Sequence, residues 1–261
     1  MNPTLDLIER RFSTRTFSEE PITDAEKSAI LHAAMRAPTA GNMMLYSILE
    51  IADQALKDRL AVTCDNQPFI AKAPWVLVFV ADYQKWVDVF SASGVDGFEV
   101  ANRRMAPGLG DLLLACSDAL IAAQNAVIAA ESLGIGSCYI GDILELGETH
   151  AELLGLPPHT LPVAMLCFGR PASHRDPVVR FSEHVVHTDR YRRLGEAEIA
   201  EQVAEMGAVY APHGLPSGTD NYGQVVYRRK YTADYAVEMN RSAAWWLARW
   251  QSTRDTEPPG E

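Results

Sequence analysis

The stretch Asp111–Gly141, DLLLACSDALIAAQNAVIAAESLGIGSCYIG, decides the class of this fold. From Asp111 to Leu133 apolar residues fall on nearly every side of a helical projection, and Gly134 supplies the stop. A helix of that kind is buried, in a large core or in a subunit interface. The polar residues Asp118, Gln124, Asn125 and Glu131 argue against a membrane span. The following IGSCYIG reads as a strand.

Working outward, APWVLVFVAD (Ala73–Asp82) is a continuous β-rich apolar run, the pattern of a strand covered on both faces. PVAMLCFG (Pro162–Gly169) and LYSILEI (Leu45–Ile51) add two more strands. Asn2-Pro3 opens a helix that stops near Arg11. TDAE (Thr23–Glu26) is a capping box for a helix running to about Ala37, ahead of Pro38. A short helix follows over Asp53–Val62. Ser91–Gly110, rich in Gly, Pro and charge, reads as a loop or a helical excursion. Two late helices, near Glu196–Met206 and Thr232–Trp250, are joined by the loop APHGLPSGTDNYG, and the last ten residues read as frayed. No internal repeat is present. Helices and strands mix without strict alternation, so the class is α+β.

The chain has 261 residues, 48% of them hydrophobic, which suffices for a substantial core. With 23 Lys and Arg against 34 Asp and Glu, its net charge is −11. That disfavours nucleic acid and anionic lipid as partners at long range. Cys64, Cys116, Cys138 and Cys167 form no CxxC pair and have no accompanying His spacing, so neither a metal site nor a disulfide framework is expected. Reduced core cysteines and the lack of a signal-peptide pattern give a cytoplasmic expectation.

In this acidic chain RRFSTRTF (Arg10–Phe17) concentrates three arginines and three hydroxyls. Arg10 and Arg11 also suit the C-terminus of a helix. In an extended segment, however, Arg11, Ser13 and Arg15 share one face and make a phosphate-sized receptor. AAMRAPTAGNMM (Ala33–Met44) carries a helix into a small-residue loop, where Thr39 and Asn42 offer hydrogen bonds. YRRKY (Tyr227–Tyr231) is the other compact basic cluster. It reads either as a solvated stretch or as a clamp for a nucleotide phosphate.

Taken in order, RRFSTRTF, AAMRAPTAGNMM, AAQNAVIAAESLGIGSCYIGDI and LGLPPHTLPVAMLCFGRPA resemble the nitroreductase family of FMN-dependent enzymes. The resemblance spans about residues 4–190, and Gln67 with the C-terminal arm points to the larger NADPH-linked branch of nitroreductases and flavin reductases. It implies a central mixed, mostly antiparallel sheet flanked by helices, with a long core helix and an extended arm. It also implies an FMN-binding domain over 1–190 and a helical extension over 191–261, packed on the same domain or on a partner.

The resemblance assigns Arg11, Ser13 and Arg15 to the FMN phosphate and ribityl chain, with Phe12 between them replacing a common Ser or Thr. Pro38, Thr39, Ala40 and Asn42 fall along the flavin, with Thr39 where Ser is usual. Gln67 falls on a residue that hydrogen-bonds the isoalloxazine. Tyr139, Ile140, Gly141 and Asp142 match the segment over the ring near N5, and Arg180 a further phosphate-side base. Met43 and Met44 read either as packing residues or as residues that narrow the substrate side. Arg228, Arg229 and Lys230 are candidates for the 2′-phosphate of NADPH. The flavin carries the chemistry, so no catalytic side chain or metal is required. The implied protein is a homodimer that passes electrons from NAD(P)H to nitroaromatics, quinones or flavins by a ping-pong scheme. Two alternatives are a non-catalytic flavin-binding or redox-sensing protein and a specialised dehalogenase or flavin-modifying enzyme.

Overall fold

A computed structural model describes residues 2–100, 106–180 and 184–252. The chain runs α1 (Pro3–Arg10), α2 (Asp24–Met35), β1 (Tyr46–Glu50), α3 (Gln54–Thr63), α4 (Pro68–Lys72), β2 (Trp75–Asp82) and α5 (Gln84–Ala92). It continues through α6 (Leu109–Ser132), β3 (Gly136–Ile140), α7 (Gly147–Leu153), β4 (Thr160–Gly169), α8 (Glu196–Tyr210), α9 (Tyr222–Val226) and α10 (Asp234–Gln251). Residues 1–176 with 238–261 make one compact unit, and 177–237 a second.

The helix starts follow their capping chemistry. Asn2 Oδ1 accepts the Leu5 N–H at 3.0 Å and opens α1. Thr23 and Glu26 close a reciprocal capping box on α2. Asp53 Oδ1 accepts the Leu56 N–H at 2.8 Å at the start of α3.

The four strands lie in the order β1-β2-β4-β3, and each neighbouring pair is antiparallel. The four-stranded sheet is thus antiparallel throughout rather than mixed, and one isolated parallel bridge joins Ser13 to Ser137 at the β3 edge. β2 is buried at all eight positions. Its alternation splits the core in two. Trp75, Leu77 and Phe79 join Ile30, Ala34 and the α6 alanines on one face. Val76, Val78 and Val80 join Leu60, Ile70, Trp246 and Trp250 on the other. Helices α2 and α6 therefore cover one face of the sheet, and α3, α4, α7 and the end of α10 cover the other.

By length and composition α6 could cross a membrane. Here it is a core helix, with Ala119, Ala122, Ala123, Ala126, Val127 and Ala130 fully buried against the sheet. It is not apolar and buried all round: Leu113, Leu114, Leu120 and Ile121 remain 41–69% exposed.

Several elements differ from the expectation. α5 occupies the start of the expected Ser91–Gly110 loop, and 101–105 lie outside the described residues. The short helices α4, α7 and α9 escape periodicity because five to seven residues span too little of a helical repeat. Of the last ten residues, expected to fray, 253–261 also lie outside the described residues.

The second unit holds α8, α9 and a π-helical turn at Tyr227–Tyr231. Within it, the Tyr210 hydroxyl donates to the Val179 carbonyl at 2.6 Å, and Arg192 pairs with Glu198 at 2.8 Å.

Candidate functional site

Two sets of residues stand at different places on α6. The first is built on the β3 edge. The Thr14 N–H donates to the Ser137 carbonyl at 2.9 Å, and the Ala172 N–H to the Thr16 carbonyl at 3.0 Å. Glycine permits this close approach: a Cβ at Gly136 would overlap the Thr14 hydroxyl, and one at Gly169 would overlap the Phe17 ring. Pinned in this way, the segment alternates: Thr14 turns inward at 2% exposure, while Ser13 is half-buried and Arg15 exposed. Phe12 packs edge-on against His174, with ring centroids 5.4 Å apart.

The Arg15 guanidinium lies 5.9 Å from the Phe69 ring centroid and beside Cys138. Burial pushes the Cys138 thiol up, against the opposing charges of Arg15 and Arg11. Burial likewise raises Tyr139 to about 12, with Arg11 opposing, and its hydroxyl reaches Gln124 at 3.3 Å. Glu131, near the end of α6, is raised to about 7 by burial, with Arg11 and Arg10 opposing. Among the described residues no carboxylate forms an ion pair with Arg11 or Arg15, and the buried Thr14 and Ser137 hydroxyls have no partner.

Gln67 joins this set from the start of α4. Its Nε2 donates to the Cys64 carbonyl at 3.0 Å and to Asp142 Oδ2 at 2.5 Å. Asp142 opens the turn Asp142–Leu144 that follows Ile140 and Gly141 at the end of β3. Arg11, Ser13, Arg15, Gln67, Tyr139 and Asp142 thus gather around one strand.

The second set, Pro38, Thr39, Ala40 and Asn42, lies in the turn between α2 and β1. A buried carboxylate braces it. Asp118 Oδ1 accepts the Ala40 N–H at 2.9 Å, and Oδ2 accepts the Leu45 N–H at 3.1 Å. Thr39 Oγ1 accepts the Met44 N–H at 3.2 Å, and the Met43 carbonyl accepts from Trp86 Nε1 at 2.8 Å. These bonds hold Met44 at φ +50°, an uncommon conformation for an L side chain. Asp118 lies about 9 Å along α6 from Gln124, which the Tyr139 hydroxyl of the first set reaches, and about 20 Å from Glu131, which feels the charge of Arg11. Among the described residues no hydrogen bond or ring contact joins the two sets.

Arg180 and the 228–230 run belong to the second unit, and all four residues are exposed. Arg228 donates to the Ser217 carbonyl at 3.4 Å, and Lys230 lies over the Tyr235 ring. The sequence reading missed Asp118 and Phe69 as parts of the site. A lone Asp inside the apolar DALIAAQNAV run was the one available signal for Asp118.

The donor set fits an anionic cofactor with a flat ring. Two arginines without carboxylate partners and Ser13 line one side of a strand. Gln67 uses both amide hydrogens within the protein, which leaves Oε1 for a ligand. The family description "Nitroreductase family" matches residues 8–170. The oxygen-insensitive NADPH nitroreductase of Salmonella typhimurium is 32% identical, over 94% of this chain and 99% of that protein. The NADPH-flavin oxidoreductase of Vibrio harveyi is 30% identical, over 91% and 93%. A solved structure of the V. harveyi NADPH:FMN oxidoreductase, complexed with NAD+, superposes with a TM-score of 0.77 at 26% identity, covering 94% of this chain and 98% of that one.

The bracing role of Asp118 has a direct consequence. Asp118→Asn keeps one acceptor and turns an NH2 toward the other backbone N–H, which costs about 1–3 kcal/mol. Amide hydrogen exchange should speed up at Ala40 and Leu45 well before it changes in β2.

Proposed function

We propose that this chain, which belongs to the nitroreductase family, binds FMN and uses it to carry electrons from NAD(P)H to a small acceptor such as a nitroaromatic, a quinone or a free flavin. The observation that carries the proposal is the donor array on the β3 edge. Arg11, Ser13 and Arg15 would hold the terminal phosphate. Phe12 closes the segment against His174. The relatives named as NADPH nitroreductase and NADPH-flavin oxidoreductase support the activity.

FMN, when bound, supplies the hydride-accepting centre and the two-electron chemistry. The side chains bind, orient and shield. Gln67 offers Oε1 to the ring, and the segment Tyr139-Ile140-Gly141-Asp142 offers backbone N–H groups beside it. Pro38, Thr39, Ala40 and Asn42 would line the other side, held by Asp118. No general acid or nucleophile is assigned. Donor and acceptor use the same open face in turn, a ping-pong scheme.

That no hydrogen bond or ring contact joins the two residue sets among the described residues supports a homodimer in which the second copy's 38–42 turn completes the site. The exposed stripe Leu113, Leu114, Leu120 and Ile121 supplies an apolar face for that association. Arg228, Arg229 and Lys230 would favour NADPH through its 2′-phosphate.

A yellow preparation that bleaches anaerobically with NADPH and recovers with a quinone supports an enzyme. One that stays oxidised supports the non-catalytic alternative. The released flavin should be FMN. Arg15→Ala removes a charge-assisted contact of about 1.5–3 kcal/mol, so FMN should bind roughly 10- to 150-fold more weakly with the fold intact.

Light scattering should report a wild-type dimer. Ile121→Glu should give a folded monomer with weakened FMN binding, whereas Ala126→Glu, inside the protomer's own core, should unfold the chain. The Arg228→Ala, Arg229→Ala double variant should lose about 3- to 10-fold in kcat/KM with NADPH, less in high salt, and keep its efficiency with NADH.

A further inference from the structure

The segment assigned to the flavin ring runs from β3 into the turn Asp142–Leu144. Within that turn the Leu144 N–H donates to the Gly141 carbonyl at 3.0 Å, and the Glu145 N–H to the Asp142 carbonyl at 3.0 Å. A trans peptide is planar, with its C=O and N–H directed oppositely. The Asp142 N–H shares a peptide unit with the Gly141 carbonyl, so it points away from the turn. Among the described residues it has no acceptor.

Three side chains of α10 grip the far end of this turn. Ser242 Oγ donates to the Leu144 carbonyl at 2.6 Å and accepts the Gly147 N–H at 2.8 Å. Trp246 Nε1 donates to the same Leu144 carbonyl at 3.1 Å, and Glu238 Oε1 accepts the Leu146 N–H at 3.1 Å. Ser242 and Trp246 are both buried. The fit is close: a Cβ at Gly147 would come 2.6 Å from the Trp245 ring and 2.8 Å from Ser242 Oγ. Leu146 sits at φ +46°, a conformation that L side chains rarely adopt and that the bonds on either side hold. From α7, His150 Nδ1 lies 2.9 Å from the Ile143 carbonyl. Glu145, which ends the turn, is 5% exposed, and burial raises it to about 7. A turn withdrawn from water in this way depends on protein partners for its backbone groups.

None of these α10 groups has a role in the binding scheme above. The Ser242 hydroxyl spends its one proton and a lone pair on two backbone groups three residues apart. We propose that Ser242 is a positioning residue: it clamps Leu144 to Gly147 and so holds the Gly141–Asp142 peptide with the Asp142 N–H turned out to the flavin ring. This rests on the FMN reading and deepens it by making the cofactor's seat depend on the C-terminal helix. Without the clamp the turn can unwind, the Gly141 carbonyl loses the Leu144 N–H, and the Asp142 N–H loses its fixed direction.

The test compares Ser242→Ala and Trp246→Phe, each of which removes a donor to Leu144, with Trp250→Phe. Trp250 is an equally buried residue of α10 whose Nε1 donates at 3.1 Å to the Gly108 carbonyl instead. All three variants lose a buried hydrogen bond and should lower the thermal midpoint. FMN, titrated by fluorescence quenching, should bind about 2- to 10-fold more weakly to Ser242→Ala and to Trp246→Phe, the equivalent of one neutral hydrogen bond, and as in wild type to Trp250→Phe. The visible circular dichroism of the bound flavin, which reads the surroundings of the ring, should change in the first two variants alone. Equal weakening in all three, or none in any, would overturn the proposal and leave α10 as a clasp on the fold.

A second readout needs no flavin. In the apoprotein, amide hydrogen exchange at Leu144, Glu145 and Gly147 should quicken in Ser242→Ala and stay at the wild-type rate in Trp250→Phe. If Ser242→Ala does not fold, Trp246→Phe, which keeps an aromatic ring in place, carries both measurements. Unchanged exchange at these amides, in a protein that binds FMN, would sink the clamp alone. Quickened exchange in a protein whose wild type binds no FMN would sink the FMN reading, and the role assigned to Ser242 with it, while the clamp on the turn stands.

Discussion

The close seat of α6 on the sheet governs the rest of the molecule. Ala119, Ala122, Ala123, Ala126 and Ala130 are fully buried, and their small side chains bring the helix near Leu77, Phe79, Leu166 and Phe168. Small residues allow that approach, and large strand residues fill the space at interior density. A larger residue in this seam would overpack it, and a charge would be buried without a partner. Because the seam uses one side of the helix, the leucines on the opposite side stay at the surface.

Once α6 is fixed, it sets where the functional elements lie. Asp118, on the buried side, can reach the Ala40 and Leu45 amides and hold a turn whose Met44 backbone would otherwise be costly. Toward the other end, α6 delivers the chain into β3, where Gly136 admits the Thr14 segment and its arginines. The helix therefore separates the two candidate halves of the site as well as supporting each. Its exposed stripe is the surface through which a second copy would reunite them.

Electrostatics divide the site by sign. Arg11 and Arg15 sit beside a strand with no carboxylate partners among the described residues. Around the buried Glu145, the half-buried Asp142 and Glu238 and the exposed Asp65 add further negative charge. An acidic chain that keeps two arginines free of carboxylate partners can receive an anion without a large basic surface. The strained turn, the unpartnered hydroxyls of Thr14 and Ser137 and the raised Glu145 all occur at these places, where local stability gives way to binding.

The sequence by itself determined the elements whose physics is local. The buried run Trp75–Asp82, the Thr23–Glu26 capping box and the α6 stop at Gly134 follow from periodicity and caps within one segment. The arginine motif and its companion blocks were legible because their residue types and order are distinctive. Only the tertiary structure decided which face of α6 is buried, because its composition is apolar nearly all round and the choice depends on what packs against it. The partners of Asp118, 73 and 78 residues away, could not be read from spacing.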